Sequence, residues 1–149
     1  PGMTGRLRVT YDVAENAILN LILRATAWSN VADNAASSPL TNIQCALATA
    51  DPGDSGTMST SEAAYTSYAR QNIARSTGFN AASGGACALA AALALPAGTG
   101  GSGAVTHVNV GRTGGGAVDS FFSGTVTPNI VTGNGITPQL TTATTITIA

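Results

Sequence analysis

Charge is what this sequence has least of. Only 9% of its 149 residues are Asp, Glu, Lys or Arg, where ordinary soluble domains carry about 25%. There is no lysine; all six basic residues are Arg, and the net charge is -1. That balance argues against a nucleic-acid partner or an anionic membrane, both of which call for a basic patch. A free monomer normally keeps itself soluble with a well-charged surface. Two readings meet the deficit. Either partners cover much of the surface, or Thr, Ser, Asn and Gly make it polar without charge. The first predicts a protein that works assembled, and the function is read from it below.

Other scarcities narrow the class further. The two cysteines, Cys45 and Cys87, form no C-x-x-C and have no His neighbours, so the sequence predicts neither a metal site nor a disulfide scaffold. Aromatic residues make up 5% and do not cluster, unlike those of a carbohydrate reader. The longest apolar run, Ala86–Leu95, is too short to cross a bilayer. Pro1-Gly2-Met3 opens no basic and then apolar leader, so no secretion signal is expected. No internal repeat or heptad is visible, and a fibre shaft would need length or a repeat. No cofactor-binding motif is present. The length fits one domain with a real core.

What is present reads mainly as β-structure. The exception is one N-terminal helix, expected over about 12–27. Ala14, Ala17, Ile18, Leu21, Ile22 and Ala25 fall on one apolar face, spaced i, i+3, i+4, i+7. Asp12 with Glu15 resembles a capping box, and Leu19 and Leu23 widen the apolar surface to a second side. Ser29–Pro39 is a polar loop. Strands are expected at Ile43–Thr49 and Val105–Val110, and again at Val118–Val126, where Pro128 should break the run. Ile136–Leu140 and Thr144–Ile148 close the chain with alternating Thr and Ile. Tyr68–Ala74 fits a strand or a helix end. Ala86–Leu95 favours helix by propensity and strand by its flanking Gly and Pro. Thr113-Gly114-Gly115-Gly116 is a hairpin signal. Short strands with frequent turns predict a mainly β, antiparallel sandwich or jelly-roll-like domain over 12–149. Residues 1–11 precede it as an arm.

The stretch Gly53-Asp54-Ser55-Gly56 surrounds the nucleophile in chymotrypsin-like proteases. A serine nucleophile needs a base and a group to orient that base. The single histidine, His107, follows Ser55 by 52 residues, the reverse of the chymotrypsin order. The hydrolase elbow is absent too, since Thr57 stands where its second Gly belongs. Turn chemistry explains the same residues: Pro52 presets φ, Gly53 permits positive φ, and Asp54 bonds its own backbone. Asp51 and Asp54 lack the calcium-loop register. His107 is expected half-buried on its strand. The sequence therefore predicts no catalytic residue, no metal ligand and no cofactor, with a hydrolase as a remote alternative.

Seven segments taken in order carry a resemblance: "DVAENAILNLILRATA" (12–27), "IQCALATADPGDSGT" (43–57), "YARQNIA" (68–74), "NAASGG" (80–85), "ALALPAG" (92–98), "GAVTHVNV" (103–110) and the closing "FFSGTVTPNIVTGNGITPQLTTATTITIA" (121–149). Together they resemble a family of small tailed-bacteriophage virion proteins commonly labelled tail fibre proteins. The resemblance implies a structural virion part, made in the host cytoplasm, with a β domain behind an N-terminal helix. It brings no catalytic residue. Low charge and a surface of small residues suit a capsid cement or decoration subunit packed between capsid subunits. The alternative is a tail-associated fibre, adaptor or receptor-binding protein. Partners would be the major capsid protein or tail proteins, together with further copies of the chain, as a trimer or dimer.

Candidate partner contacts follow from two places. Phe121 and Phe122 are adjacent, and on a strand they must point to opposite faces; one can fill the core while the other needs a partner. Arg6, Arg8 and Tyr11 stand beside Leu7 and Val9 in the arm, with a strand-like alternation of Arg and apolar residues, as if to add a strand to a sheet edge elsewhere. Arg side chains suit carboxylate-rich neighbours.

Overall fold

The architecture described here comes from a computed structural model, which describes residues 12–32, 34, 39–112 and 118–148. It opens with helix α1, Asp12–Arg24. Eight strands follow: β1 (Asn42–Ala48), β2 (Gln71–Ala74), β3 (Ala86–Ala88), β4 (Leu93–Ala94), β5 (Ser102–Gly111), β6 (Ser120–Gly133), β7 (Gln139–Leu140) and β8 (Thr145–Thr147). The domain is mainly β with antiparallel sheets and one N-terminal helix, as the sequence predicts. One sheet has four strands in the order β2-β1-β5-β6, and two short ribbons, β3-β8 and β4-β7, complete the set.

Core and register follow from side-chain alternation. Ile43 and Cys45 of β1 lie beside Ile73 of β2 and Val110 of β5. All four are buried in one cluster with Leu19 and Leu23 of α1, Phe79, Cys87, Leu89 and Leu140. The helix and the two ribbons thus cover the inner face of the large sheet. A second cluster joins Leu47, Ala63, Tyr65, Leu95 and Val105. Here the loop after β1 folds back along that strand: the Ala63 N–H donates to the Leu47 carbonyl and the Thr49 N–H to that of Ser61. This loop continues the sheet edge beyond the point where β2 stops.

Several elements differ from the sequence reading. The helix ends at Arg24 rather than near 27. Ala25 takes a left-handed φ of 54°, and the Thr26 N–H turns back to the Asn20 carbonyl at 3.1 Å, a chain reversal in the manner of a helix C-cap. The deepest helical residues are Leu19 and Leu23, both fully buried, not the face through Ile18 and Leu21. Ala86–Leu95 is neither one helix nor one strand; it divides into β3 and β4 because each half pairs with a different C-terminal segment. Pro128 does not end its strand. β6 runs through it to Gly133, and β6 is an edge strand, where a residue without an N–H need not cost a ladder bond. The hairpin signal at 113–116 lies outside the described residues.

Candidate functional site

The "DPGDSG" loop is held by its own backbone. The Gly53 N–H donates to Asp51 Oδ1 at 3.0 Å, and the Gly56 N–H to the Gly53 carbonyl at 2.9 Å. Gly53 has φ 70°. Asp51 therefore makes the side-chain turn that the sequence reading gave to Asp54. Ser55 is exposed at the tip. His107 sits half-buried on β5 opposite Ala48 of β1 and Thr125 of β6. Its Nδ1 lies 2.8 Å from Thr106 Oγ1. Among the described residues, no hydrogen bond joins Ser55 to His107. Nor does any group of three or more His, Cys, Asp or Glu side chains among them form a metal-binding cluster.

The polar chemistry that the fold does assemble works as fastening. Arg70, in the "YARQ" segment, grips Glu62 with two bonds, Nε to Oε1 at 2.7 Å and Nη2 to Oε2 at 2.6 Å. Its Nη2 also donates to Ser59 Oγ at 2.9 Å. Tyr68 links this pair to the sheet: its hydroxyl donates to Glu62 Oε1 at 2.8 Å and accepts the Leu47 N–H at 3.1 Å. Burial, chiefly, pushes the Tyr68 hydroxyl well above the usual phenol range, with Glu62 acting in the same direction. Tyr65 packs edge-on against Tyr68, ring centres 5.3 Å apart, and its hydroxyl donates to the Pro96 carbonyl at 2.8 Å.

A second fastening holds the helix. Arg75, just past β2, donates from Nε to the Ile22 carbonyl at 2.7 Å and from Nη2 to that of Leu21 at 2.6 Å. Its Nη1 reaches the Leu40 carbonyl at 2.8 Å, and Nη2 also reaches Asn34 Oδ1 at 3.1 Å. These are carbonyls that a helix end leaves without intrahelical partners, at the end where a cation is favoured. Asn16 and Asn20 act from the helix itself, their Oδ1 atoms accepting the Gly85 and Ala82 N–H groups at 2.9 and 3.0 Å. The sequence reading gave no fastening role to Arg70, Glu62 or Arg75. Only the recurrence of "YARQ" within the resemblance pointed at the first.

A cleft of about 880 Å³ runs between β6 and the C-terminal segment. No ionisable side chain except the buried thiol of Cys45 lines it; its walls include Phe122, Thr125, Asn129, Gln139 and Thr145. Beside it, Ile18, Ile22, Phe121, Phe122 and Ile148 line an apolar groove of about 320 Å³. Both phenylalanines line this groove, but they are buried to different degrees. Phe122 packs against the main core, while Phe121 is 39% exposed. Arg6, Arg8 and Tyr11, the other expected partner contacts, lie outside the described residues.

A β domain whose polar clusters pin loops and a helix to one sheet is built as a structural part. The chain belongs to the family described as Podophage GP4 fiber I protein gp80, which matches residues 10–146. It is thus a phage structural protein of a fibre family. No curated protein is similar enough to the chain to count as a match. The family description fits the tail-fibre alternative better than capsid decoration. No helix among the described residues is long and apolar enough to cross a membrane.

Proposed function

We propose that the protein is a fibre component or adaptor at the tail of a podophage virion, acting through surfaces rather than through a chemical step. The match to the fibre family over residues 10–146 carries this reading. Its partners are then other tail proteins. The low charge that favoured a capsid cement suits a tail adaptor equally, since both bury much of their surface against neighbours. The fastened loops serve the same end: a part that transmits load between partners has to keep its shape.

Location and copy number test the reading. Antibody labelling of intact virions, or a particle reconstruction, is expected to place the protein at the tail in a few to a few dozen copies. Hundreds of copies spread over the shell would return it to capsid decoration.

A further inference from the structure

Ten asparagines stand in this sequence, and one of them is followed by glycine, Asn134 in Gly133-Asn134-Gly135. The others precede Ala, Val, Leu or Ile, whose side chains crowd the next amide nitrogen. A following glycine has no Cβ and leaves that nitrogen open to attack on the asparagine side chain. Asn134 and Gly135 are both exposed. They form a turn closed by the Ile136 N–H on the Gly133 carbonyl at 3.1 Å, with Gly135 in the left-handed region at φ 75°.

The turn is tied to the end of the β4-β7 ribbon. Past the pairs Leu93 with Leu140 and Ala94 with Gln139, the Leu95 N–H donates to the Pro138 carbonyl at 2.9 Å. Gly98 and the turn then exchange two bonds: the Gly98 N–H donates to the Ile136 carbonyl at 2.9 Å, and the Gly135 N–H to the Gly98 carbonyl at 2.8 Å. Tyr65 steadies the strip that carries Gly98, its hydroxyl donating to the Pro96 carbonyl at 2.8 Å. The nitrogen that could attack Asn134 is thus engaged with Gly98.

We propose that Asn134 is a deamidation site latched by the Gly98–Gly135 hydrogen bond. While the latch is closed, the Gly98 carbonyl holds the proton on the Gly135 nitrogen, so reaction waits on local opening. Once open, that nitrogen loses its proton to hydroxide and attacks Asn134 Cγ. The new N–Cγ bond forms, the Cγ–Nδ2 bond breaks, and Nδ2 takes a proton from water and leaves as ammonia. Water then opens the cyclic imide at either carbonyl, giving aspartate or isoaspartate; nothing is oxidised or reduced. The segments that build this corner, 63–67, 96–101 and 133–138, contain no Asp, Glu, Lys, Arg or His. None of them supplies a charged side chain as base, and the rate climbs with pH. The product sets a carboxylate beside Ile136, 38% exposed. Isoaspartate also adds a methylene to the backbone, which breaks the paired bonds with Gly98. The inference goes beyond the fibre reading and does not depend on it.

The purified full chain tests it, incubated at mildly alkaline pH and mapped by peptide mass spectrometry. The first gain of one dalton is expected at Asn134, with isoaspartate among the products. Conversion should be about tenfold or more slower in the native chain than in urea. Two variants loosen the latch without touching the reacting pair. Gly98→Ala sets a methyl against the Gly133 carbonyl oxygen. Tyr65→Phe keeps the ring and removes the bond to Pro96. Each should speed conversion about threefold or more through easier local opening, in a chain still folded by circular dichroism; if Gly98→Ala fails to fold, Tyr65→Phe decides. A first conversion at another asparagine overturns the proposal. So does aspartate formed without isoaspartate, an equal rate in native and urea-unfolded chain, or a folded Tyr65→Phe that converts no faster than wild type.

Discussion

Arg70 and Glu62 face each other across two parallel hydrogen bonds of 2.7 and 2.6 Å, with only 17% and 19% of their side chains exposed. The pair closes the loop between β1 and β2 and, through Tyr68, reaches the backbone of Leu47. Exposed pairs contribute roughly 0–1 kcal/mol and breaking a buried one costs about 3–5 kcal/mol. This pair stands between. Arg70→Ala is expected to cost about 1–3 kcal/mol, read as a fall of about 2–4 °C in Tm per kcal/mol for a chain of this size. Arg70→Lys should recover only part of the loss, because a single ammonium cannot make the parallel fork. Full rescue by Lys would show that charge alone matters.

Asn109 presents the opposite case. It is fully buried on β5, and neither its Nδ2 nor its Oδ1 has a partner. It faces outward from the main core beside Ala46, on the side where the Met58 sulfur lies against Gly111. An unsatisfied buried amide costs about 1–3 kcal/mol, which offsets the packing lost on truncation. Asn109→Ala should therefore stay within about 1 kcal/mol of wild type in urea denaturation. Leu47→Ala, equally buried, should lose about 2–5 kcal/mol. Equal losses in the two variants would mean that the amide is satisfied after all.

Alkaline stability should depend on Cys45. Burial pushes its thiol from 9.0 up to about 12. As pH rises, the unfolded chain gives up this proton before the folded one does, so unfolding is favoured. The contribution is fully present below pH 9.0 and is lost progressively towards about 12. Burial also raises Cys87, Tyr65 and Tyr68, which steepens the same decline. The informative comparison is the change in urea midpoint between pH 8 and pH 10.5 in wild type and in Cys45→Ala. The wild type should lose more; identical changes would remove Cys45 from the account.

The sequence made the long elements legible because their patterns are long. α1 and the cores of β1 and β5 each show their period over six residues or more. Ala86–Leu95 could not be resolved, because its two strands are two and three residues long and owe their existence to Thr145–Thr147 and Gln139–Leu140, some fifty residues away. Pro128 misled for a different reason. A proline forbids a central strand and not an edge, and which strand is the edge is a fact of topology. The fastenings were least visible. Glu62 and Arg70 are eight residues apart in irregular chain, where no period links them. Asn109 reads in "HVNV" as the outward member of an alternation; only the loop that brings in Met58 makes its side a buried one.

Gly85 sits where the two ends of the described chain come together. Its N–H bonds Asn16 near the start of α1, its carbonyl accepts the Ile148 N–H at 2.9 Å, and a methyl on it would strike the Glu15 carboxylate and the Ile148 carbonyl. Chain entering at Asp12 and chain leaving at Ile148 therefore share one corner. Tension applied at the C-terminal end would not shear the four-stranded sheet. It would open the three pairs of β8 with β3 one after another, like a zip, with β1, β2, β5 and β6 still closed. Under load the domain would lengthen first at its C-terminal ribbon, and the sheet would behave as the rigid body to which that ribbon is hinged.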